Sequence, residues 1–238
     1  MKIGVLGTGN VGRTLGSALV EAGHSVCMGA RTRNHPNALE WVRTNGERAS
    51  SGSFADAASF AEIAFNCTAG EASLQALEQA GSLNLEGKIL IDVANPLDFS
   101  EGMPPTLTVC NTDSLGERIQ RAFPKIRVVK TLNTVNCDVM VDPSCVPGKH
   151  HLFMSGDDSE AKTEVAQLLV EAFGWSPESI LDLGDISTAR GTEMLLPLWI
   201  RLMASLGTSD FNFYVAGVPV RPRDEPRDAD LLIPPLPG

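Results

Sequence analysis

Short apolar runs alternate along the chain with longer segments in which apolar residues recur every three or four positions. The first runs, at residues 2–6 and 25–29, are followed by amphipathic segments at residues 11–22 and 38–45. Apolar, β-branched runs are typical of buried strands, and the longer period is typical of helices that pack on a sheet. The alternation therefore predicts a parallel sheet whose strands are joined by right-handed crossover helices.

The same alternation continues through the middle of the chain. Further strands are predicted at residues 63–68, 88–93 and 126–131 and within HLFMSG, and further helices at residues 71–80, 114–123 and 159–173. The segment 46–59 is small and polar, and it predicts a short strand and a short helix without fixed limits. We therefore predict an α/β fold of the Rossmann type, with a doubly wound, mostly parallel sheet over residues 1–183.

The C-terminal part has a different character. Residues 184–206 are interpreted as one apolar helix with Asp185 or Ser187 as its N-cap, and Pro197 is expected to kink it. We interpret residues 184–218 as a helical cap on the sheet, and residues 219–238 as a proline-rich tail. Two arrangements stay open: a homodimer anchored by Trp199 and Met203, and a monomer in which the helix only covers the sheet.

Charge and cysteine content narrow the range of partners. The chain has 29 acidic and 19 basic residues and a formal net charge of −10. This charge disfavours nucleic acid and anionic lipid partners, and no stretch approaches the roughly 18–20 apolar residues of a membrane span. The five cysteines form no Cys-x-x-Cys pair, and the chain begins directly with a predicted strand. We therefore expect a protein of the reducing cytoplasm, without a membrane partner.

A Gly-x-Gly-x-x-Gly turn follows the first predicted strand. In this position the first glycine permits a sharp turn, the second lets the backbone approach a pyrophosphate, and the third lets helix and strand pack closely. The helix N-terminus adds free amides and a partial positive charge. The pattern predicts a dinucleotide site at Gly7, Thr8, Gly9, Asn10, Val11 and Gly12.

The residues after the second strand indicate which dinucleotide binds. Arg31 lies about 20 residues after the glycine turn, where NAD-binding chains carry an acid for the ribose 2′-hydroxyl. Arg31, Thr32 and Arg33 offer guanidinium and hydroxyl donors instead, and guanidinium binds phosphate in bidentate geometry. We predict NADP(H) as the cofactor, with a merely solvated loop as the alternative interpretation.

Three further strand ends are small or amide-bearing, at residues 66–70, 92–97 and 130–135. Ligands of doubly wound sheets bind at such carboxyl ends. Asn95 and Asn133 can orient a carboxamide or a polar ring edge. Turn formation is an equal alternative for Asn133 and Thr134, and Asp92 could equally cap a turn.

The sequence lacks the usual signs of a carbonyl reductase. Tyr214 is the only tyrosine, and no Tyr-x-x-x-Lys pair occurs. His24 and His35 fall outside the expected site, His150 and His151 are interpreted as structural or rim residues, and no cluster predicts a metal site. Hydride transfer between two cofactor rings depends on alignment and exclusion of water more than on an acid. The absence of an evident acid is therefore compatible with that reaction.

Four segments resemble the NADPH-dependent reductases of the deazaflavin coenzyme F420, also called F420H2:NADP oxidoreductases. They are IGVLGTGNVGRTLGSALVEAGHSVCMGARTR, DVANPL, VVKTLNTV and LDLGDISTARGTEMLLPLWIRLM. The resemblance extends to about residue 215. The first segment is shared with many Rossmann enzymes, and the later ones make the resemblance more specific.

The resemblance implies that NADP lies over the glycine turn and the loop 31–33, with F420 stacked on the nicotinamide in a cleft closed by C-terminal residues. Hydride would pass directly between carbons of the two rings. Thr68 and Ala69 would flank the nicotinamide, and Asn133 with Thr134 would face the second ring. The chain differs from archaeal members at Asn133, where a histidine is expected, and in its proline-rich tail.

Two other functions stay open at this point. An NADPH-dependent reductase of a small imine, carbonyl or quinone-like substrate would need a proton donor such as Asp185, Glu193, Tyr214 or an ordered water. A protein that senses NADP without turnover would need none. Our leading hypothesis is an NADPH-using oxidoreductase with a deazaflavin or small organic acceptor.

Overall fold

A sheet of eight strands forms the centre of the computed structural model, which describes residues 1–217. Residues 218–238, and with them the tail predicted at 219–238, lie outside the described residues. The strands are β1 (Lys2–Leu6), β2 (Ser25–Ala30), β3 (Ala49–Ser53), β4 (Ile63–Asn66), β5 (Ile89–Asp92), β6 (Leu97–Asp98), β7 (Thr106–Leu107), β8 (Arg127–Thr131), β9 (Leu152–Ser155) and β10 (Ile180–Gly184). β6 and β7 form a separate two-stranded antiparallel sheet.

The helices between these strands are mostly short. They are α1 (Asn10–Glu21), α2 (Pro36–Asn45), α3 (Phe54–Phe60), α4 (Ser73–Ala80), α5 (Ser82–Leu85), α6 (Leu115–Ala122), α7 (Cys137–Val141), α8 (Ser159–Phe173), α9 (Ala189–Met194) and α10 (Leu196–Leu206). Within residues 1–217, no helix has both the length and the apolar character that a bilayer crossing requires.

The strand order is β10-β9-β8-β5-β4-β1-β2-β3. From β3 to β8 all neighbours run parallel, β9 is antiparallel to β8, and β10 is parallel to β9. The prediction of a doubly wound, mostly parallel Rossmann-like sheet is therefore confirmed. The sheet grows first from β1 to β3 and then, from β4 onward, on the other side of β1. Ligands of such sheets bind beyond the carboxyl ends at this reversal.

Two apolar layers cover the sheet because successive strand residues point to opposite faces. Val5 belongs to the layer that contains Leu15 of α1 and Trp41 of α2. Leu6 belongs to the opposite layer, which contains Leu77 of α4. The alternation of strand and helix periods in the sequence thus reflects burial on both faces.

Most predicted elements agree with the structure to within a few residues, and α8 has the predicted bounds. The segment 46–59 forms β3 and α3, which meet at a capping box. Ser53 Oγ accepts from the Asp56 backbone N–H at 3.2 Å, and an Asp56 carboxylate oxygen accepts from the Ser53 N–H at 2.8 Å. β6, β7, β10, α5 and α7 were not predicted, because each has five residues or fewer and is too short to show a strand or helix period.

The prediction of one kinked helix over residues 184–206 is wrong. A 3₁₀ turn at Ile186–Thr188 is followed by α9, and α10 begins as a separate helix at Leu196. Pro197 lies in the first turn of α10, where a missing N–H leaves no helical hydrogen bond unmade. The proline therefore starts a helix. Asp185 does act as a cap, accepting from the Ser187 N–H at 2.9 Å.

The segment that follows β10 packs directly against the sheet. Ile186 and Ala189 are buried in the second apolar layer. Trp199 is half-buried and stacks on Phe211, with ring centroids 5.2 Å apart. The domain boundary at residue 183 and a homodimer through Trp199 and Met203 stay predictions.

Two histidines hold the chain that follows α10. The Phe213 carbonyl accepts from the His151 N–H at 2.8 Å, and His151 Nδ1 accepts from the Val215 N–H at 3.0 Å. Asn212 donates to His150 Nδ1 at 3.0 Å. Burial and the neighbouring His150 lower the pKa of His151, which favours the neutral ring that can accept at Nδ1. These contacts give both histidines a structural role.

We expect Gly16→Ala to unfold at lower urea concentration than Gly191→Ala. A Cβ at Gly16 would lie 2.9 Å from Trp41 Cζ2, and Ser17 Oγ accepts from the Trp41 indole N–H at 3.0 Å, which restrains the ring. A Cβ at Gly191 would meet no atom of the described chain within 4 Å. Both variants gain helix propensity, so their stabilities should differ by the overpacking cost of about 1–3 kcal/mol. Equal free energies of unfolding would contradict this packing.

Candidate functional site

The residues predicted to bind the cofactor lie at the carboxyl ends of five adjacent parallel strands. In spatial order these strands are β2, β1, β4, β5 and β8. The end of β2 carries Arg31, Thr32 and Arg33, and the end of β1 carries Gly7, Thr8, Gly9, Asn10, Val11 and Gly12. The end of β4 carries Thr68 and Ala69, the end of β5 carries Asn95, and the end of β8 carries Asn133 and Thr134. The fold therefore brings all of them to one border of the sheet, which we call the carboxyl edge.

The turn between β1 and α1 is packed closely against the chain that follows β4. Gly7 has a φ of 125°, and a Cβ there would lie 2.5 Å from the Cys67 carbonyl oxygen. A Cβ on Gly12 would collide with the Gly7 carbonyl, whereas a Cβ on Gly9 would meet no atom within 4 Å in the part of the chain that the structure describes. Gly7 and Gly12 therefore make the turn possible, and Gly9 leaves open space beside it, as the approach of a pyrophosphate requires.

The first turn of α1 offers free backbone amides. Its N-cap is Gly9, and no side chain in the described part of the chain caps the helix. Arg13 lies beside this turn, with its guanidinium donating to Asn10 Oδ1 at 2.8 Å. Uncapped amides at a helix N-terminus attract phosphate groups. The geometry of the turn therefore fits the pyrophosphate of a dinucleotide.

Arg31, Thr32 and Arg33 are exposed after β2. Arg33 donates to both carboxylate oxygens of Asp56, at 2.7 and 2.6 Å, and this pairing with Asp56 holds the pKa of that carboxyl far below its usual range. Among residues 1–217, no carboxylate pairs with Arg31. One guanidinium is therefore oriented by the protein, and the other keeps all its donors for a ligand.

Asn95 and Asn133 join the ends of β5 and β8. Asn133 Nδ2 donates to Asn95 Oδ1 at 3.0 Å, and Asn95 Nδ2 donates to the Asn133 carbonyl at 2.8 Å. Leu132, just before, is buried with a φ of 64°, an uncommon conformation that persists where surrounding contacts hold it. Asn133 Oδ1 is buried and has no hydrogen-bond partner among the described residues. Such an acceptor costs about 1–3 kcal/mol until a donor reaches it.

A row of buried polar side chains lies under the carboxyl edge. Asn66, Asp92 and Lys130 are register partners on β4, β5 and β8. Asn66 and Lys130 each donate to Asp92, both at 2.8 Å. Lys130 also donates to the Ala94 carbonyl, and Thr68 Oγ1 donates to Asn66 Oδ1 at 2.7 Å. The row therefore supports the loops that follow β4 and β5.

Glu193 of α9 completes this arrangement. Its Oε1 lies 2.9 Å from Lys130 Nζ, and its carboxylate accepts from the Leu115 and Gly116 N–H groups at 2.8 and 3.0 Å. Asp92, Lys130 and Glu193 are fully buried, and we call these three residues the buried ion cluster. Burial alone would lower the pKa of Lys130, but the two carboxylates raise it above its ordinary value. Lys130 therefore carries its charge.

Three residues considered as proton donors are engaged elsewhere. Glu193 is paired with Lys130 and surrounded by N–H donors, Asp185 caps the 3₁₀ turn, and Tyr214 stacks on His151 with ring centroids 5.1 Å apart. Asp92, considered as a turn cap, accepts from the Ala94 N–H at 3.3 Å but also pairs with Lys130.

Lys130 itself was not singled out from the sequence. The sequence feature that could have identified it is the presence of a charged residue within an otherwise apolar predicted strand.

The order of these groups along the carboxyl edge matches an extended dinucleotide. Guanidinium groups lie at the end of β2, free amides at the end of β1, and a buried amide acceptor at the end of β8. A phosphorylated adenosine, a pyrophosphate and a polar ring would meet them in that sequence. The residues present therefore fit NADP.

Similarity to known proteins indicates the family to which this chain belongs. The family model described as NADP oxidoreductase coenzyme F420-dependent matches residues 2–96. A crystal structure from Arthrobacter sp. FB24, of a protein provisionally assigned as an F420-dependent NADP reductase, is 53% identical with a TM-score of 0.85. That match covers 91% of this chain and 99% of the other. The similarity therefore extends well beyond the glycine turn.

Two more distant proteins share parts of this similarity. Metalloreductase STEAP3 of Rattus norvegicus is 31% identical over 207 residues, or 83% of this chain, and the match spans 38% of STEAP3. An imine reductase from Myxococcus stipitatus in complex with NADP⁺ is 18% identical with a TM-score of 0.60. The match covers 87% of this chain and 64% of the imine reductase chain. At that identity it shows a common fold alone.

We expect Gly9→Ala to lose NADPH affinity by about tenfold or more while its thermal stability changes by less than about 1 kcal/mol. The added methyl meets no atom of residues 1–217 within 4 Å, yet it would fill the space through which a pyrophosphate would approach. Binding is measured by NADPH fluorescence and stability by thermal unfolding.

Gly12→Ala is the matched comparison, because its Cβ would collide with the Gly7 carbonyl and should lower stability. Unchanged NADPH affinity in a folded Gly9→Ala protein would place the phosphates elsewhere.

Proposed function

Because this chain belongs to the family of coenzyme F420-dependent NADP oxidoreductases, we propose that it transfers hydride between NADP(H) and the deazaflavin coenzyme F420. Family membership makes it an NADP-dependent oxidoreductase. The deazaflavin as second substrate, and the roles of individual residues at the carboxyl edge, are the proposal. The observation that carries it is the Asn95–Asn133 pair, which places neutral amide groups at the end of the edge where the nicotinamide would lie.

The residues of the glycine turn and of the loop after β2 would bind NADP. Amides of the first α1 turn would hold the pyrophosphate beside Gly9. Arg31 and Arg33 would bind the 2′-phosphate, with Asp56 fixing one edge of the Arg33 guanidinium. A guanidinium fork matches a phosphate far better than a ribose hydroxyl. This arrangement supports NADP over NAD.

When bound, NADPH supplies a hydride from its nicotinamide ring. Thr68 and Ala69 would flank that ring, with Thr68 held in place by its hydrogen bond to Asn66. Asn133 Oδ1 would accept from a ring N–H or a carboxamide N–H, and Thr134 would lie beside the second ring. These contacts would align two flat rings and exclude water between them, which is the help such a transfer needs.

The engagement of the candidate acids supports a transfer between rings over reduction of a small carbonyl or imine. A carbonyl reductase needs a positioned donor at the developing alkoxide. Glu193, Asp185 and Tyr214 are each held in contacts of their own. Hydride transfer between two rings does not require one of these side chains as a proton donor at an alkoxide.

We expect Arg31→Ala and Arg33→Ala each to weaken NADPH binding by about 1.5–3 kcal/mol, the value of a charge-assisted contact. NADH binding should change far less, because NADH lacks the 2′-phosphate. Arg43→Ala is the control, since Arg43 is an exposed arginine paired with Glu40 on α2. Equal losses for NADPH and NADH in the first two variants would refute the 2′-phosphate assignment.

The proposed reaction is tested by mixing the protein with NADPH and F420 and following the visible absorption of F420. We expect the absorption to bleach, and Gly9→Ala to slow the bleaching at limiting NADPH. Tight NADPH binding without bleaching would contradict F420 as the substrate. Turnover of imines, carbonyls or quinones would then support a small-molecule reductase, and no turnover at all would support an NADP-binding sensor.

A further inference from the structure

We propose that the buried ion cluster carries a net negative charge that favours the oxidised cofactor, so that Glu193 sets the balance between bound NADP⁺ and NADPH. The inference rests on the proposed binding of NADP at the carboxyl edge. It assigns Glu193 an electrostatic role toward the nicotinamide, which it does not touch.

The charge state follows from the hydrogen-bond partners. Glu193 accepts from Lys130 and from the Leu115 and Gly116 N–H groups, so its carboxylate faces three donors. Asp92 accepts from Lys130, Asn66 and the Ala94 N–H. A carboxylate whose oxygens meet only donors is stabilised in its ionised form.

The buried ion cluster thus contains one ammonium group and two carboxylates. The cluster therefore carries a net charge of about −1, partly offset by the amides at the start of α6.

The cluster lies directly under the loops expected to flank the nicotinamide. Asp92 ends β5, and Asn95 follows three residues later. Asp92 also accepts from Asn66, which in turn accepts from Thr68. Two hydrogen bonds therefore connect the Asp92 carboxylate to Thr68, and Lys130 holds the Ala94 carbonyl beside Asn95.

Full burial lets this charge act over a distance. Solvent screens exposed charges, but it screens buried ones much less. The oxidised nicotinamide ring is a cation, whereas the reduced ring is neutral, and the rest of the two cofactor forms is the same. A unit charge acting over about 10 Å at an effective dielectric constant near 20 changes such an equilibrium by roughly tenfold. The cluster should therefore stabilise NADP⁺ relative to NADPH and favour hydride donation by NADPH.

Glu193 supplies the excess charge. Asp92 and Lys130 alone would form a neutral pair, and Glu193 reaches them from α9 in the C-terminal part of the chain. Its carboxylate is held by the N-terminal amides of α6, which offset the cost of burying it. The C-terminal part would thus act on cofactor chemistry without entering the cofactor site.

The test compares the dissociation constants of NADP⁺ and NADPH, measured by titration calorimetry, for wild-type protein, Glu193→Gln and Asp92→Asn. Each variant removes one negative charge and keeps a side chain of similar size. We expect the ratio Kd(NADP⁺)/Kd(NADPH) to rise about tenfold in both. The ratio measured in either variant tests the proposal, provided that the variant retains the wild-type circular dichroism spectrum.

Asp158→Asn is the matched control. Asp158 is paired with Arg127 at 2.6 Å and caps α8, and this pairing with Arg127 lowers its pKa to about 2. It lies at the opposite border of the sheet, because β8 begins at Arg127 and ends at the carboxyl edge. Removal of this charge should leave the ratio unchanged.

A ratio within about twofold of wild type in the folded cluster variants would overturn the inference while leaving NADP binding intact. An equal rise in Asp158→Asn would overturn it as well, since the effect would then reflect total charge. Failure of the wild-type protein to bind either form would overturn both this inference and the proposed function.

Discussion

A lysine ammonium buried under the carboxyl edge of a parallel sheet requires carboxylate partners, and this requirement joins the separate parts of the molecule. Lys130 on β8 is held by Asp92 on β5 and by Glu193 on α9, and Glu193 in turn holds the start of α6. An ion left alone at this depth would cost several kcal/mol. The cluster therefore specifies how β5, β8, α6 and α9 meet, and with them the loops of the candidate site.

Above the buried ion cluster, the carboxyl edge carries different chemical groups at each strand end. The groups that we propose to bind phosphate are backbone amides and arginines near β1 and β2, where solvent is close. Toward β8 the groups become neutral amides and hydroxyls, of which Asn133 and Thr134 are buried and Asn95 is half-buried, and the two amides hold each other. This gradient suits a ligand with charged phosphates at one end and an uncharged or singly charged ring at the other. In the proposed complex, binding of the cofactor phosphates and alignment of the reactive ring would therefore fall to different strand ends.

The sequence allowed the fold class and the location of the candidate site to be predicted because both depend on local signals. The glycine turn and the small residues after each strand identify the carboxyl edge without knowledge of distant contacts. Lys130 could not be recognised in this way, since its partners Asp92 and Glu193 lie far from it in the chain. Pro197 was misjudged for a similar reason, because a helix start and a helix kink differ only in how the preceding turn folds.

The position of Glu193 bears on how this protein could be divided or recombined. The glycine turn and the strands around it form a contiguous N-terminal stretch that resembles a transferable cofactor module. A chain ending before α9 would nevertheless leave the Leu115 and Gly116 amides without their acceptor and Lys130 with half of its counter-charge. Chimaeric reductases assembled from this scaffold would therefore need to inherit α9 together with the nucleotide-binding half.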